Sequence, residues 1–193
     1  MLVAQAKAAS ERFRGIQISD DVVEQITDHM ERQSKNILLV GMPGCGKSAI
    51  GRRLAKALNR TLVDTDEEIV KKIGCSIPEY FAQYGEEEFR KRENEVLREF
   101  SGRSGQIIAT GGGIVTRPEN TDPLRENSVV VFLRRDIDCL PTKGRPISQS
   151  SDLHQLYAKR RPLYEAVADL TVDNVNMGRT VNEILEKLGF PRE

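Results

Sequence analysis

Residues 41–48 read Gly41-Met42-Pro43-Gly44-Cys45-Gly46-Lys47-Ser48, a spacing of G-x-x-x-x-G-K-S. Those residue types in that order suit a polyphosphate. Glycines let the backbone come close to an anion, and successive N–H groups at a helix N-terminus offer it partial positive charge. The Lys47 ammonium is expected to reach the β- and γ-phosphates of a nucleotide, and the Ser48 hydroxyl to ligate Mg2+. Cys45 sits inside the loop as a small filler rather than as a nucleophile. Further on, Asp64 and Asp66 stand two positions apart. Alone they read as a helix cap and a solvated acid. Beside a phosphate loop, one carboxylate serves a metal, directly or through water, while the other faces a second substrate. A carboxylate near the γ-phosphate orients a hydroxyl and takes its proton, which suits Asp66 as a base.

Three arginines fit the same chemistry. Arg90 lies in Phe89-Arg90-Lys91-Arg92-Glu93 and Arg160 in Lys159-Arg160-Arg161-Pro162-Leu163-Tyr164. Taken singly, each reads as a solvated helix charge. Together over an acceptor pocket, two guanidinium groups suit a carboxylate. The second substrate is then a hydroxyl compound bearing an anionic group. Arg145, followed by Pro146, lies in an irregular polar segment, and a lid arginine can close over transferring phosphate. Gly112, in Thr110-Gly111-Gly112-Gly113, offers a backbone without a side chain against which an acceptor can lie.

The elements that must position these groups follow from hydrophobic periodicity. The apolar run 37–40 is a buried parallel strand. The helix after the phosphate loop carries Ile50, Leu54, Ala57 and Leu58 on one face. A second strand at 61–63 ends in Asp64-Thr65-Asp66, with Asp66 suited to cap a helix running to about Ile73. Residues 76–84 and 86–100 read as two helices separated by Gly85, the second with Phe89, Val96, Leu97 and Phe100 inward and Arg90 beside them. Strands at 106–109, 129–133 and 170–172 follow, with helices at 152–167 and 179–188. Pro162 should kink or break the first of these two helices. The segment 140–152 reads as disorder or an active-site lid. Five strands alternating with helices make a parallel sheet covered on both faces, whose ligands gather beyond the carboxyl ends of the strands. The phosphate loop, the aspartate pair and the glycine triplet all fall there.

Lys plus Arg and Asp plus Glu number 29 each in a chain of 193 residues, so no global field favours nucleic acid or a membrane surface. Three cysteines at unrelated spacings form neither a zinc site nor a disulfide framework. With no long apolar run and no leader pattern, the sequence reads as a cytoplasmic protein. Residues 1–34 read as a helical extension of two short amphipathic helices, and residues 35–193 as the nucleotide-binding domain.

Gly44-Cys45-Gly46-Lys47-Ser48, Asp64-Thr65-Asp66, Gly85-Glu86-Glu87-Glu88-Phe89-Arg90, Thr110-Gly111-Gly112-Gly113, Arg145-Pro146 and Lys159-Arg160-Arg161-Pro162-Leu163-Tyr164 resemble, in order and spacing, the motifs of the shikimate kinase family. The resemblance covers about residues 36–188. It implies a three-layer P-loop kinase of the nucleoside-monophosphate-kinase type, with five parallel strands in the order 2-3-1-4-5. It implies Mg2+-dependent phosphorylation of the 3-hydroxyl of shikimate by ATP, in chorismate biosynthesis. Gly44, Cys45, Gly46, Lys47, Ser48 and Ala49 would hold the ATP phosphates, with Arg145 as the lid arginine. Ser48 and Asp64 would hold the metal, and Asp66, Arg90, Gly112 and Arg160 the shikimate. Lys47, Asp66 and Arg145 would be catalytic, and the kinase domain monomeric. Arginines that flank adenine in many relatives are missing from Leu140-Pro141-Thr142-Lys143 and Asp173-Asn174-Val175-Asn176. Met1-Leu2-Val3-Ala4-Gln5-Ala6 and Glu11-Arg12-Phe13-Arg14-Gly15 resemble the C-terminal helix of shikimate dehydrogenases, which implies a fused two-enzyme polypeptide. The alternatives are another small-molecule or nucleotide kinase of the same fold and a non-catalytic ATP-binding module.

Overall fold

The computed structural model describes residues 2–140 and 153–192. Arg145 and all of the expected lid except Leu140 lie outside the described residues. The chain divides into two compact units, Met1–Lys35 and Asn36–Glu193.

In the first unit, helix α1 (Leu2–Arg14) ends at Gly15, whose φ of +64° suits a residue without Cβ. Helix α2 (Asp20–Ser34) follows the short turn. Glu11 accepts a hydrogen bond from the Ile18 backbone N–H, and Lys7 pairs with Asp20 at 2.5 Å. Ser19 occupies the expected capping position of α2 but makes no side-chain cap bond. Val22, Ile26 and Met30, four apart on α2, are exposed.

The second unit is built on a five-stranded, wholly parallel sheet in the order 2-3-1-4-5, the order implied by the resemblance. Its strands are β1 (Asn36–Val40), β2 (Leu62–Asp64), β3 (Ile107–Ala109), β4 (Ser128–Arg134) and β5 (Leu170–Asp173). Every residue of the central strand β1 is buried, as expected where helices cover both faces. Ile37 pairs with Ile107 on one side and Val129 on the other, placing the apolar runs side by side at the centre of the core.

Helix α3 (Lys47–Leu58) leaves the phosphate loop and buries Ile50 and Leu54. Gly51 on this helix faces Leu62, whose terminal methyl would have to shift to admit a Cβ here. Helix α4 (Thr65–Ile73) is capped by Asp64, whose side chain accepts from the Asp66 N–H. This corrects the expectation that Asp66 is the cap. The strand runs one residue further than its apolar signal, so the first of the two carboxylates reaches the orphan N–H group. Helix α5 (Ile77–Ser101) is kinked at Gly85, whose φ of 79° and ψ of 173° are non-helical, so the two helices expected on either side of this glycine are present. Ser76 and Glu79 form a reciprocal capping box at its start.

After β3, two single 3-10 turns and the short helix α6 (Thr121–Arg125) lead to β4. Helix α7 (Leu153–Val167) continues through Pro162 rather than ending there. The turn beyond the proline is anchored by Tyr164, fully buried and stacked on Phe132 of β4 with ring centroids 5.0 Å apart. That packing offsets the one backbone bond the proline removes. Helix α8 (Met177–Lys187) closes the layer, capped by Asn176.

Candidate active site

The carboxyl end of β1 runs directly into the phosphate loop. Gly41 has φ +146°, and a Cβ on it would lie 2.5 Å from the Leu133 carbonyl oxygen of the neighbouring strand. Only glycine leaves the strand on this path. The loop is pinned internally by the Cys45 N–H donating to the Met42 carbonyl at 3.1 Å. The buried Lys47 ammonium donates to the Gly41 and Met42 carbonyls, both at 2.9 Å, so the lysine braces the start of the loop as well as standing at its mouth. Cys45 is fully buried, in keeping with a filler.

At the end of β2, Ser48 Oγ donates to Asp64 Oδ2 at 2.5 Å. A hydroxyl and a carboxylate, both hard oxygen donors, thus meet beside the phosphate loop. That donor chemistry fits Mg2+, which keeps several waters and takes one or two protein oxygens alongside nucleotide phosphate. Among the described residues no group of three or more His, Cys, Asp or Glu side chains has the arrangement of an all-protein metal cage. Asp66 lies in the first turn of α4, with its carboxylate turned toward Gly111. Between the aspartates, buried Thr65 accepts the Gly111 N–H on its Oγ1 at 3.1 Å. This hydroxyl ties the aspartate turn to the glycine triplet.

The triplet itself follows β3, where Thr110 anchors it by donating both its N–H and its hydroxyl to the Leu39 carbonyl of β1. Each of its glycines faces a different partner. A Cβ on Gly111 would lie 2.6 Å from Glu93 Oε1 and 2.7 Å from Asp66 Oδ1. One on Gly112 would lie 2.5 Å from Pro43 Cδ, and one on Gly113 2.5 Å from the Arg90 guanidinium carbon. A further physical reason for glycine at 112 thus stands beside the one read in the sequence. The phosphate loop, through Pro43, also presses on this position.

Neither Arg90 nor Arg160 is a solvated helix charge; both are buried. Arg90 donates from Nη1 to Glu93 Oε2 at 2.7 Å and from Nη2 to Glu86 Oε1 at 2.8 Å. Glu93 is 1 % exposed, and burial pushes its carboxyl above the ordinary range, against the pull of Arg90 and with a further push from Asp66. Arg160 donates to the Gly112 carbonyl at 3.2 Å, and the Tyr164 hydroxyl donates to the same oxygen at 2.6 Å. Burial pushes the Tyr164 hydroxyl above its usual pKa, so it remains a donor. Glu93, Thr65 and Tyr164 were given no role by the sequence reading. Glu93 carried a usable signal, since it stands three residues after Arg90 on the helix face that also holds Phe89 and Val96.

These groups share one cleft of about 650 Å³. Its walls include Gly44, Gly46, Lys47, Ser48, Ala49, Asp64, Asp66, Arg90, Gly112 and Arg160. Of the residues expected at the site, Cys45 lies beneath the loop and Arg145 outside the described residues. An apolar wall of Val70, Ile77, Pro78, Phe81 and Phe89 completes the cleft. The arrangement offers an anion cradle at one end and paired guanidinium groups beside an acidic residue at the other. That is a layout for phosphoryl transfer to an anionic acceptor.

The shikimate kinase family model matches residues 43–189. The chain is 43 % identical over 163 residues to the shikimate kinase of Bordetella avium, covering 79 % of this chain and 78 % of that relative. It is 37 % identical to the shikimate kinase of Chromobacterium violaceum, covering 85 % and 97 %. Among solved structures it is similar to a shikimate kinase from Acinetobacter baumannii in complex with shikimate. That likeness has a TM-score of 0.74 and 32 % identity, over 83 % of this chain and 96 % of the other. The shikimate kinase of Aquifex aeolicus gives a TM-score of 0.72 at 33 % identity, over 80 % and 96 %. The chain belongs to the shikimate kinase family, the phosphotransferases that use ATP to phosphorylate shikimate.

Proposed function

We propose that this chain places the family reaction in the cleft at the carboxyl ends of the strands, with the 3-hydroxyl of shikimate as acceptor and the roles divided as follows. The observation that carries this is the meeting of the phosphate loop, the Asp64–Asp66 turn and the Arg90–Arg160 pair in one cavity. Backbone N–H groups of residues 44–49 and the Lys47 ammonium bind the phosphates of ATP. Ser48 and Asp64 hold Mg2+, which neutralises developing phosphate charge when bound. Asp66 orients the acceptor hydroxyl and receives its proton. Arg90 and Arg160 take the acceptor carboxylate, and Gly112 carries its carbonyl between Arg160 and Tyr164 at the same end of the cleft. Arg145 is the lid arginine that closes over the transferring group.

Residues 35–193, with a lid at about 140–152, are the kinase domain, taken to act as a monomer in the cytoplasm. Among the described residues no helix is long and apolar enough to cross a membrane. The first 34 residues are a helical extension. Their likeness to the end of a shikimate dehydrogenase supports a fused or associated dehydrogenase and rests on the segments 1–6 and 11–15 alone.

The test is an ADP-release assay with and without shikimate on the native chain and on Asp66→Asn. Shikimate-stimulated turnover should fall about a hundred- to ten-thousandfold in the variant, the usual contribution of a positioned base. ADP affinity should stay within twofold. A variant that keeps most of its kcat removes Asp66 as the base.

A further inference from the structure

We propose that Asn174 is a positioning residue for nucleotide binding, which sets the crest of the phosphate loop from the β5 edge of the sheet. It stands just after β5, 4 % exposed, on the connection to α8. Its Nδ2 donates to the Cys45 carbonyl at 2.6 Å, at the middle of the loop. A carbonyl can only accept, so the amide must present its nitrogen there, and the orientation of Asn174 is fixed by its partner.

Asn174 is itself held from behind. Its backbone N–H donates to the Arg134 carbonyl at the end of β4 at 2.7 Å. Its Oδ1 lies 3.2 Å from the hydroxyl of buried Thr180 on α8. The side chain is thus a strut between the β4–β5 edge and the loop.

The consequence for the loop follows from peptide geometry. Among the described residues no peptide bond is cis, and in a planar trans unit the C=O and N–H point in opposite directions. Holding the Cys45 carbonyl toward Asn174 sends the Gly46 N–H the other way. Gly46 lines the cleft, has φ +103° and directly precedes α3. Its N–H is one of the donors of the anion nest. A Cβ on Gly46 would lie 2.5 Å from Asn174 Nδ2, so glycine and strut are matched to each other. Without the strut, the 45–46 peptide loses its buried partner and can rotate, turning an N–H away from phosphate.

The inference rests on residues 41–48 being the nucleotide site. It distinguishes Asn174 from a residue that serves only the fold, because it assigns the damage to one substrate. The experiment measures ADP affinity by calorimetry, KM for each substrate, and Tm, on the native chain, Asn174→Ala and Asn174→Asp. Loss of the one hydrogen bond should weaken ADP binding and raise KM for ATP by about tenfold in Asn174→Ala. Asn174→Asp keeps the shape but faces the carbonyl with an acceptor and brings negative charge toward the phosphates. It should be the worse of the two, while KM for shikimate stays within twofold in both. If folded variants keep native ADP affinity, or if both KM values rise together, the assignment is overturned. Should one variant fail to fold, the other decides by the same split. A native chain that turns over shikimate but binds no ADP overturns the nucleotide reading beneath it.

Discussion

Gly112→Ala is the sharpest probe of how the two halves of the cleft are joined. The added methyl would sit 2.5 Å from Pro43 Cδ, 2.6 Å from its Cγ and 2.9 Å from its nitrogen. Carbon atoms at rest lie about 3.5–4.0 Å apart, so a gap of roughly 1 Å must open. Gly112 cannot easily retreat, because its carbonyl is held by Tyr164 and Arg160. Nor can the proline ring rotate aside as a flexible side chain would. Its backbone belongs to the phosphate loop, and the loop must shift. Overpacking of this kind costs about 1–3 kcal/mol. Expressed wholly in transition-state binding, that is a fall of roughly 5- to 150-fold in kcat/KM for ATP. Expressed in stability, it lowers Tm by about 2–12 °C for a chain of this size. Steady-state kinetics with ATP varied at saturating shikimate, beside a thermal melt, reads both. The positive-φ argument does not apply, since Gly112 is not among the glycines with left-handed backbone, so the effect is steric. A variant within twofold in kcat/KM and within about a degree in Tm would refute the reasoning.

Gly113→Ala meets the end of the Arg90 side chain instead of a backbone, so the arginine should yield while the loop stays put. Its expected signature is a KM for shikimate raised about 5- to 20-fold, with KM for ATP unmoved, as for a displaced charge-assisted contact. Equal changes in both constants would contradict the separation. Ser48→Ala removes the hydroxyl that donates to Asp64. The Mg2+ concentration for half-maximal rate should rise at least about tenfold, the usual scale for loss of one polar contact to a charged group. An unchanged Mg2+ titration would place the metal elsewhere.

Much of the architecture was legible because the governing patterns are local. Four apolar residues ending in a glycine loop define β1, and the register that surrounds it follows from apolar runs of similar length at 107–109 and 129–133. The misplaced helix cap has a physical cause of the same local kind. Asp64 rather than Asp66 caps α4 because the strand continues one polar residue beyond its hydrophobic signal. The helix expected over 152–167 despite Pro162 is present as α7: the proline removes one backbone bond and crowds the preceding turn, but Tyr164 beyond it is stacked in the core. No window of sequence around Pro162 contains Phe132, the residue that decides the matter.

The charged residues show the same limit more sharply. A run such as Phe89-Arg90-Lys91-Arg92-Glu93 alternates between faces of one helix, and its charges have opposite fates. Arg90 and Glu93 turn inward as a pair at 2.7 Å, while Lys91 and Arg92 pair outward with Glu88. Burying an arginine is tolerable only with a counter-charge in hand, and Glu93 at i+3 supplies it from within the helix. The pairing could have been read from spacing; the burial could not, because it depends on Gly113, which stands in another segment and leaves room for the guanidinium. The glycine triplet is where these dependencies meet. Its residues make room in turn for Glu93 and Asp66, for Pro43 of the phosphate loop, and for Arg90. A glycine in a sequence announces only that a side chain is unwelcome. Which group excludes it is a tertiary fact, and here the excluded volume is taken by the residues assigned to donor and acceptor alike. The separation between the two ends of the cleft is accordingly set by contact through the triplet, so a change at Gly112 should be felt at the phosphate loop and a change at Gly113 at the arginine.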